Sequence, residues 1–374
     1  MSNRMGVRTV AARVAAVIPC YQCANSALDV IARMPNCVDA IFVVDDGCPD
    51  DTGGRVAGAS DDPRLRVLEH DHNRGVGAAM VTGYRAALQD GADIVVKLDG
   101  DGQMDPALIP NLIALIKAGE ADYCKGNRFY FSDDAQSMPR HRYIGNAGLS
   151  FLTKLSSGYW SIFDPTNGFT AIHRSALSLI RLDRLDEGYF FESDMLFRLN
   201  IARAVVRDVP LRAVYGRETS HLNAMRAFWR WPWKHLRNAW RRLIYRYYLH
   251  DFSLASLEFP IGLFLLGFGL VFGAFEWTAA AQADRNTPAG TVMLAALPVI
   301  LGVQLLLSAL HHDIENQPRV PLQKLTAGGE RTAPAGQPQR LSRTIANAQK
   351  TTFPILIRLR KTSPTAVAAA SGRP

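Results

Sequence analysis

The sequence predicts an α/β domain with a mostly parallel sheet, followed by two membrane-spanning helices. Three observations predict it. Short β-rich runs alternate with helical patterns between residues 14 and 125, polar clusters follow the ends of those runs, and two long uncharged stretches come late in the chain.

Residues 14–19, 40–45, 65–69 and 94–98 read as strands bounded by turn formers. Residues 26–34, 76–89 and 106–117 read as helices between them. Such alternation builds βαβ units and a largely parallel sheet. Ligands of such a sheet sit beyond the carboxyl ends of the strands. Pro19-Cys-Tyr21, Asp45-Asp46-Gly47 and Asp99-Gly-Asp101 all fall there. Residues 126–175 are less regular, helical patterns resume at Arg174 and over 189–201, and 204–209 reads as a further strand.

Residues 259–275 and 289–310 carry no charge. The second stretch is long enough to cross a hydrocarbon core, and the first becomes so with its flanks from 254 to 277. Core helices of a soluble domain normally keep a polar stripe, and 262–274 keeps none. Just ahead lies a basic, aromatic segment with Arg226, Arg230, Lys234, Arg237, Arg241, Arg242 and Arg246 and with Trp229, Trp231, Trp233 and Trp240. That composition suits the cytoplasmic face of a membrane, with a helix lying in the interface and Pro232 near its first turn. The net charge of +8 is concentrated there, so nucleic acid is not needed to explain it. The loop 276–288 carries a single Arg and the tail is basic, which places both ends of the hairpin on the cytoplasmic side. The basic N-terminus is followed by too brief an apolar run for a secretory leader. The catalytic part is therefore expected to stay where it is made, its five cysteines reduced. The expected division is an extension at 1–13, a catalytic domain at 14–225, an interfacial segment at 226–250, spans at 254–277 and 289–310, and a basic, largely disordered tail at 311–374.

The chemistry is densest in Val95-Val-Lys-Leu-Asp99-Gly-Asp101-Gly-Gln103-Met-Asp105-Pro106. An apolar strand delivers two carboxylates to its exposed end, a donor set suited to Mg²⁺ or Mn²⁺ that leaves positions for diphosphate oxygens and water. Asp46, at another strand end, suits a nucleoside, while Asp50-Asp51-Thr52 reads as a helix cap. Asn73-Arg74-Gly75-Val-Gly77 opens a helix, and its glycines serve either close approach to a ligand or tight helix packing. Cys20-x-x-Cys23 has no second pair at ligand spacing, which argues against zinc. Arg128, Arg140, His141 and Arg142 offer cations for an anionic acceptor. Asp164 and Glu192 are candidates for positioning or base work, and Glu192 with Asp194 also suits the positive end of a helix.

Pro19-x-Tyr21, Val44-Asp-Asp-Gly, Asn73-Arg-Gly, Asp99-Gly-Asp-Gly-Gln and Gly126-Asn-Arg128, in this order and spacing, resemble the family-2 inverting glycosyltransferases of GT-A fold. Asp164-Pro-Thr-Asn-Gly168-Phe169 and Tyr215-Gly-Arg-Glu218-Thr-Ser220 are similar to segments of dolichol-phosphate mannose synthases and their bacterial polyprenyl-phosphate relatives. The resemblance covers 14–310. It implies donor or metal positions at Pro19, Tyr21, Asp46, Asp99, Gly100 and Asp101, with Asp101 also catalytic, and a further metal position at Gln103. It implies phosphate contacts at Arg128 and at Arg140 or Arg142. One departure is Cys23, which stands where mannose synthases commonly carry an acid.

The expected reaction is metal-dependent, inverting transfer from a UDP- or GDP-sugar to a polyprenyl phosphate, a step of cell-envelope glycan synthesis. A phosphomonoester arrives largely ionised, so it needs cations more than a base. Transfer to a hydroxyl of a lipid-linked saccharide is the alternative. A processive synthase fits poorly, because Ala227-Phe-Trp-Arg230-Trp231 has Ala where such enzymes carry Gln. The expected location is a bacterial inner membrane, with the paired spans leaving homo-oligomers open.

Overall fold

The computed structural model describes residues 12–130, 140–165, 167–211 and 224–325, apart from the side chains at 140–146 and 224–229. Arg140, His141, Arg142, the stretch 215–220 and the tail beyond 325 are outside those described residues or side chains.

A seven-stranded sheet forms the centre, in the order β3-β2-β1-β4-β6-β5-β7. The strands are β1 (Val14–Cys20), β2 (Ala40–Asp45), β3 (Leu65–Glu69), β4 (Ile94–Lys97), β5 (Tyr123–Asn127), β6 (Thr170–His173) and β7 (Val206–Pro210). β6 alone is antiparallel to its neighbours, pairing Lys97 with Thr170 on one side and Lys125 with Thr170 on the other. The others pair in parallel. β1, β2 and β4 are apolar throughout or nearly so because helices cover both faces of the sheet.

Between these strands run α1 (Ala24–Ala32), α2 (Thr52–Ala59), α3 (Val76–Gln89) and α4 (Ile109–Lys117). Alternate strand residues enter two cores. Val17, Phe42 and Val95 pack with α3, while Ile18, Ile41, Val43 and Val96 pack with α1 and α4. Gly83 on α3 lets the helix close onto β1, since a Cβ there would stand 2.2 Å from Val17 Cγ1.

Residues 126–175 are more ordered than their composition suggests: they contain α5 (Arg140–Ser157) and β6. The helix contains Gly145 and Gly148 and stops just before Gly158, which takes φ +75°. After β6 come α6 (Arg174–Leu179), α7 (Phe191–Ile201) and, beyond β7, α8 (Ala224–Ile244). Pro232 lies inside α8 and not in its first turn, which corrects the expectation from sequence. A proline removes one hydrogen bond of an interior turn, and the helix runs on past it.

The chain then forms a helical hairpin, α9 (Ala255–Gln282) and α10 (Ala289–Glu315), each several residues longer than its uncharged stretch. Both are long and apolar enough to cross a membrane, and only 11% of each apolar window is buried inside the protein. Core helices of a soluble domain would be covered. Gly262, Gly269 and Gly302 let the two helices touch backbone to backbone: a Cβ on Gly302 would stand 2.6 Å from Leu266 N.

Candidate active site

The turn after β4 carries the two carboxylates. Gly102 takes φ +76°, which a Cβ would oppose, and Asp101 Oδ1 accepts the Gln103 N–H at 3.0 Å. Gly100 is pressed against both thiols of the Cys20-x-x-Cys23 pair, since a Cβ would stand 2.9 Å from either sulfur. All five cysteines are free. The pair thus backs the carboxylate turn. The hydrogen bond that the Cys20 thiol shares with Cys23, and then burial, both hold the Cys20 thiol in its protonated form.

Asp99 Oδ1 accepts from Lys97 Nζ at 2.6 Å, and the same ammonium stands 3.3 Å from Glu192 Oε1. Lys97 is 1% exposed. Burial pulls its pKa down, but the Asp99 and Glu192 carboxylates outweigh burial and push it above the usual range. One buried cation therefore joins the carboxylate of the turn to the first helical turn of α7. Gly168 closes over this pair: a Cβ there would stand 2.4 Å from Asp99 Oδ2 and from Lys97 Nζ.

Asp45 and Asp46, adjacent in sequence, do different things. Asp45 accepts the N–H groups of Cys48 at 2.7 Å and Gly53 at 2.6 Å, tying down the loop into α2. Asp46 accepts from Arg74 N at 3.0 Å and Gly75 N at 2.7 Å, and its Oδ1 pairs with His70 Nδ1 at 2.7 Å. It is 3% exposed. The Asp46 carboxylate thus holds the Arg74–Gly75 turn in place. Asp51 caps α2, accepting from Gly54 N at 3.3 Å. Pro19 lies within β1 beside Val44, and Tyr21 stands just past the strand with its ring 40% exposed.

For Gly75 and Gly77 the packing alternative holds. A Cβ on Gly77 would stand 2.0 Å from the Asp186 carbonyl oxygen, and one on Gly75 2.4 Å from that of Glu187. The Glu187 carbonyl accepts Gly77 N–H at 2.8 Å and Ala78 N–H at 3.2 Å. The first amides of α3 are therefore taken by protein, not offered to a phosphate.

Arg128 and Asp164 form a two-pronged ion pair, Nε to Oδ2 at 2.8 Å and Nη2 to Oδ1 at 3.1 Å. Asp164 is fully buried, while the Arg128 side chain remains 36% exposed. The buried carboxylate aims the guanidinium. Lys125, also fully buried, donates to the Asn167 carbonyl. Burial lowers its pKa to about 8, against the pull of Glu192 and Asp164. Asn167 in turn donates to Gly126 O at 2.8 Å and accepts Phe169 N at 3.0 Å, locking the Gly168 turn.

Glu192 and Asp194 are neighbours on α7 with separate tasks. Asp194 accepts from Asp186 N, Arg198 Nε and Asn238 Nδ2, so it is structural, whereas Glu192 faces Lys97. Tyr189, half exposed, stands close enough to Asp99 and Glu192 for their charges to raise its pKa, after burial as the main cause. Sequence reasoning passed over Lys97, Lys125 and Tyr189. A lysine at the end of an otherwise apolar strand was the available signal for Lys97 alone.

The structure therefore joins Asp99 to Glu192 through Lys97, with Asp101 in the same turn, and links them through the 164–168 segment to Arg128: Gly168 packs on Asp99, and Asp164 pairs with Arg128. The family model described as Glycosyl transferase family 2 matches residues 15–180. Over 206 residues the chain is 30% identical to an undecaprenyl-phosphate mannosyltransferase of Micrococcus luteus, spanning 54% of this chain and 84% of that one. It is 29% identical over 213 residues to a UDP-N-acetylglucosamine–dolichyl-phosphate N-acetylglucosaminyltransferase of Methanococcus voltae, spanning 53% and 84%. A glucosyl-3-phosphoglycerate synthase of Mycobacterium tuberculosis, solved with Mn²⁺ and UDP, superposes with a TM-score of 0.47 at 19% identity, covering 62% of this chain and 80% of that chain. The chain belongs to glycosyltransferase family 2, with the GT-A fold. It is a glycosyltransferase.

Proposed function

We propose that the enzyme transfers a sugar, with inversion, from a nucleotide-sugar to a polyprenyl phosphate at a membrane. The observation that carries this is one short segment that serves both halves of a site: its Gly168 packs on the carboxylate turn at Asp99, and its buried Asp164 aims Arg128. Such a site suits a leaving diphosphate and an anionic acceptor. The names of the relatives, which act on undecaprenyl and dolichyl phosphates, support the same acceptor.

The residues fit a divalent cation in a particular way. Among the described residues no group of three His, Cys, Asp or Glu side chains gathers, and the oxygen donors at the turn are Asp99 and Asp101, with Gln103 beside them. Few protein ligands suit Mg²⁺ or Mn²⁺, which hold substrate phosphates and water. When bound, such an ion offsets the charge that grows on the departing nucleoside diphosphate. Lys97 sets Asp99, and Tyr21 and the turn held by Asp46 border the nucleotide side. Arg128 binds the acceptor phosphate, held in orientation by Asp164. A phosphomonoester with its second pKa near ~6 arrives ionised and attacks without losing a proton in the transition state. Glu192, neutralised by Lys97, is then a positioning group and not the base. The hairpin α9–α10 crosses the membrane, α8 lies at its surface, and the catalytic domain faces the cytoplasm.

Purified enzyme in detergent is expected to label undecaprenyl phosphate from a radiolabelled UDP- or GDP-sugar with Mn²⁺ or Mg²⁺ present, and Asp101→Ala is expected to abolish it. Labelling of a glycan hydroxyl with none of the lipid phosphate would overturn the acceptor, and full activity of Asp101→Ala would overturn the metal.

A further inference from the structure

The loop from Asp186 to Phe190 touches three parts of the molecule at once. Its Glu187 carbonyl receives the first amides of α3, and its Gly188 N–H donates to Asp186 Oδ1 at 3.1 Å. It runs straight into α7, whose Glu192 shares the Lys97 ammonium with Asp99, and its half-exposed Tyr189 feels the charge of both carboxylates. Its far side rests on α8, where Lys234 forms an ion pair with Asp186 and lies 5.1 Å above the Phe190 ring. Phe190 also meets His235 and Trp231 edge-on, at 4.8 and 6.1 Å. The fixed face of α8 is completed by Asn238 bonding Asp194 at 3.0 Å and by His235 Nδ1 against Ser156 Oγ at 2.8 Å. The opposite face shows Trp233, Leu236 and Trp240, 57–70% exposed, with Arg237 and Arg241. One helix thus has its outer face suited to a lipid surface and its inner face gripping a loop of the site.

From this geometry we infer that Lys234 is a positioning residue for sugar transfer: by clamping Asp186 and Phe190 it fixes the loop that presents Tyr189 beside Asp99. The inference rests on the reading of Asp99 as part of the donor site. Lys234 touches no substrate; it acts through the loop. Without Lys234 the loop keeps its bonds to α3 and Asp194 but loses the clamp on its Asp186–Phe190 side, and the resulting displacement of Tyr189 lowers turnover more than it lowers nucleotide binding. Asp186 and Lys234 act as one unit, so removing both should cost no more than removing either.

The test compares wild type with Lys234→Met, Lys234→Arg, Asp186→Asn and the Lys234→Met/Asp186→Asn pair, in the full-length enzyme. Turnover, thermal unfolding and calorimetric affinity for UDP and GDP with Mn²⁺ are measured. Lys234→Met and Asp186→Asn are each expected to lower kcat about tenfold at unchanged nucleotide affinity, the pair by the same factor, and Lys234→Arg to restore most of it. Wild-type kcat in Lys234→Met, or multiplicative losses in the pair, overturns the clamp. So does a parallel loss of nucleotide affinity and melting temperature, which marks a purely structural contact. Hydrogen exchange reads the clamp without turnover: the amides of Gly77, Ala78 and Gly188 should exchange faster in Lys234→Met. That measurement stands even if wild type labels no lipid phosphate, the result that would instead sink the proposed acceptor, and unchanged exchange overturns the clamp.

Discussion

At the scale of single residues, the site is built on buried cations whose partners are carboxylates. Lys97 and Lys125 flank Thr170 on adjacent strands, but their settings differ. Lys97 has two carboxylates in direct contact and stays charged; Lys125 has a carbonyl, and burial lowers its pKa to about 8. The unfolded chain keeps a lysine protonated to about pH 10. Between those values the unfolded state binds the extra proton, so stability rises with pH through that window. Below pH 8 the buried charge is present and its cost is carried in full. Lys125→Met is therefore expected to flatten the rise in melting temperature between about pH 8 and 10, measured by thermal unfolding in detergent. Asp46 teaches a related point. Its position at a strand end was plain from sequence, yet its three contacts within the chain were not, because Arg74 and Gly75 meet it only when β2 and the loop before α3 come together.

At the scale of elements, the glycines show where two segments must touch. Gly75 and Gly77 left a choice between ligand and packing, and the backbone of Asp186 and Glu187 decides it. Gly77→Ala would press its Cβ into a carbonyl oxygen at 2.0 Å, and backbone can yield little. The expected cost is about 1–3 kcal/mol of stability, with lowered turnover because the same loop carries Tyr189. Thermal unfolding and a transfer assay check both. Helix α5 was read as irregular sequence because Gly, Ser and aromatics break its pattern. Its buried residues, Ser150, Thr153, Ser156 and Ser157, are small and polar, and Ser150 and Ser156 find their long-range partners only once Phe163 and α8 are in place.

At the scale of the whole molecule, two buried carboxylates, Asp313 and Asp122, key the helical hairpin and the segment after it to the catalytic domain. Asp313, near the end of α10, pairs with Arg242 of α8 at 2.6 and 3.0 Å. It also accepts from Tyr247 at 2.6 Å and from Trp160, just past α5, at 2.8 Å. Beyond it, Leu322 N and Gln323 N return to the carboxylate of Asp122, which also accepts Val205 N. The hairpin therefore leaves and re-enters the domain at fixed points. Asp313→Ala would strand Arg242, which is 1% exposed, and breaking such a pair costs about 3–5 kcal/mol. The expected result is a lower melting temperature in detergent, partly recovered by Asp313→Leu with Arg242→Met. An unchanged melting temperature would show that the pair does not join the two parts.

The sequence by itself determined the parallel core, the carboxylate turn after the fourth strand and the two apolar helices. Each of these is written in local order: alternation of strand and helix, two acids spaced by glycine, uncharged runs of sufficient length. Only the tertiary structure decided what those residues are held by. It inserted the antiparallel β6 between β4 and β5, set Lys97 between Asp99 and Glu192, aimed Arg128 with Asp164, and brought Lys234 to the loop of Tyr189. The contacts of Asp46, Arg128, Glu192 and Asp313 named above join residues from 24 to 153 positions apart. The physical reason is that a charge buried in a low-dielectric interior must find its partner in space, and no periodicity along the chain records which partner that is.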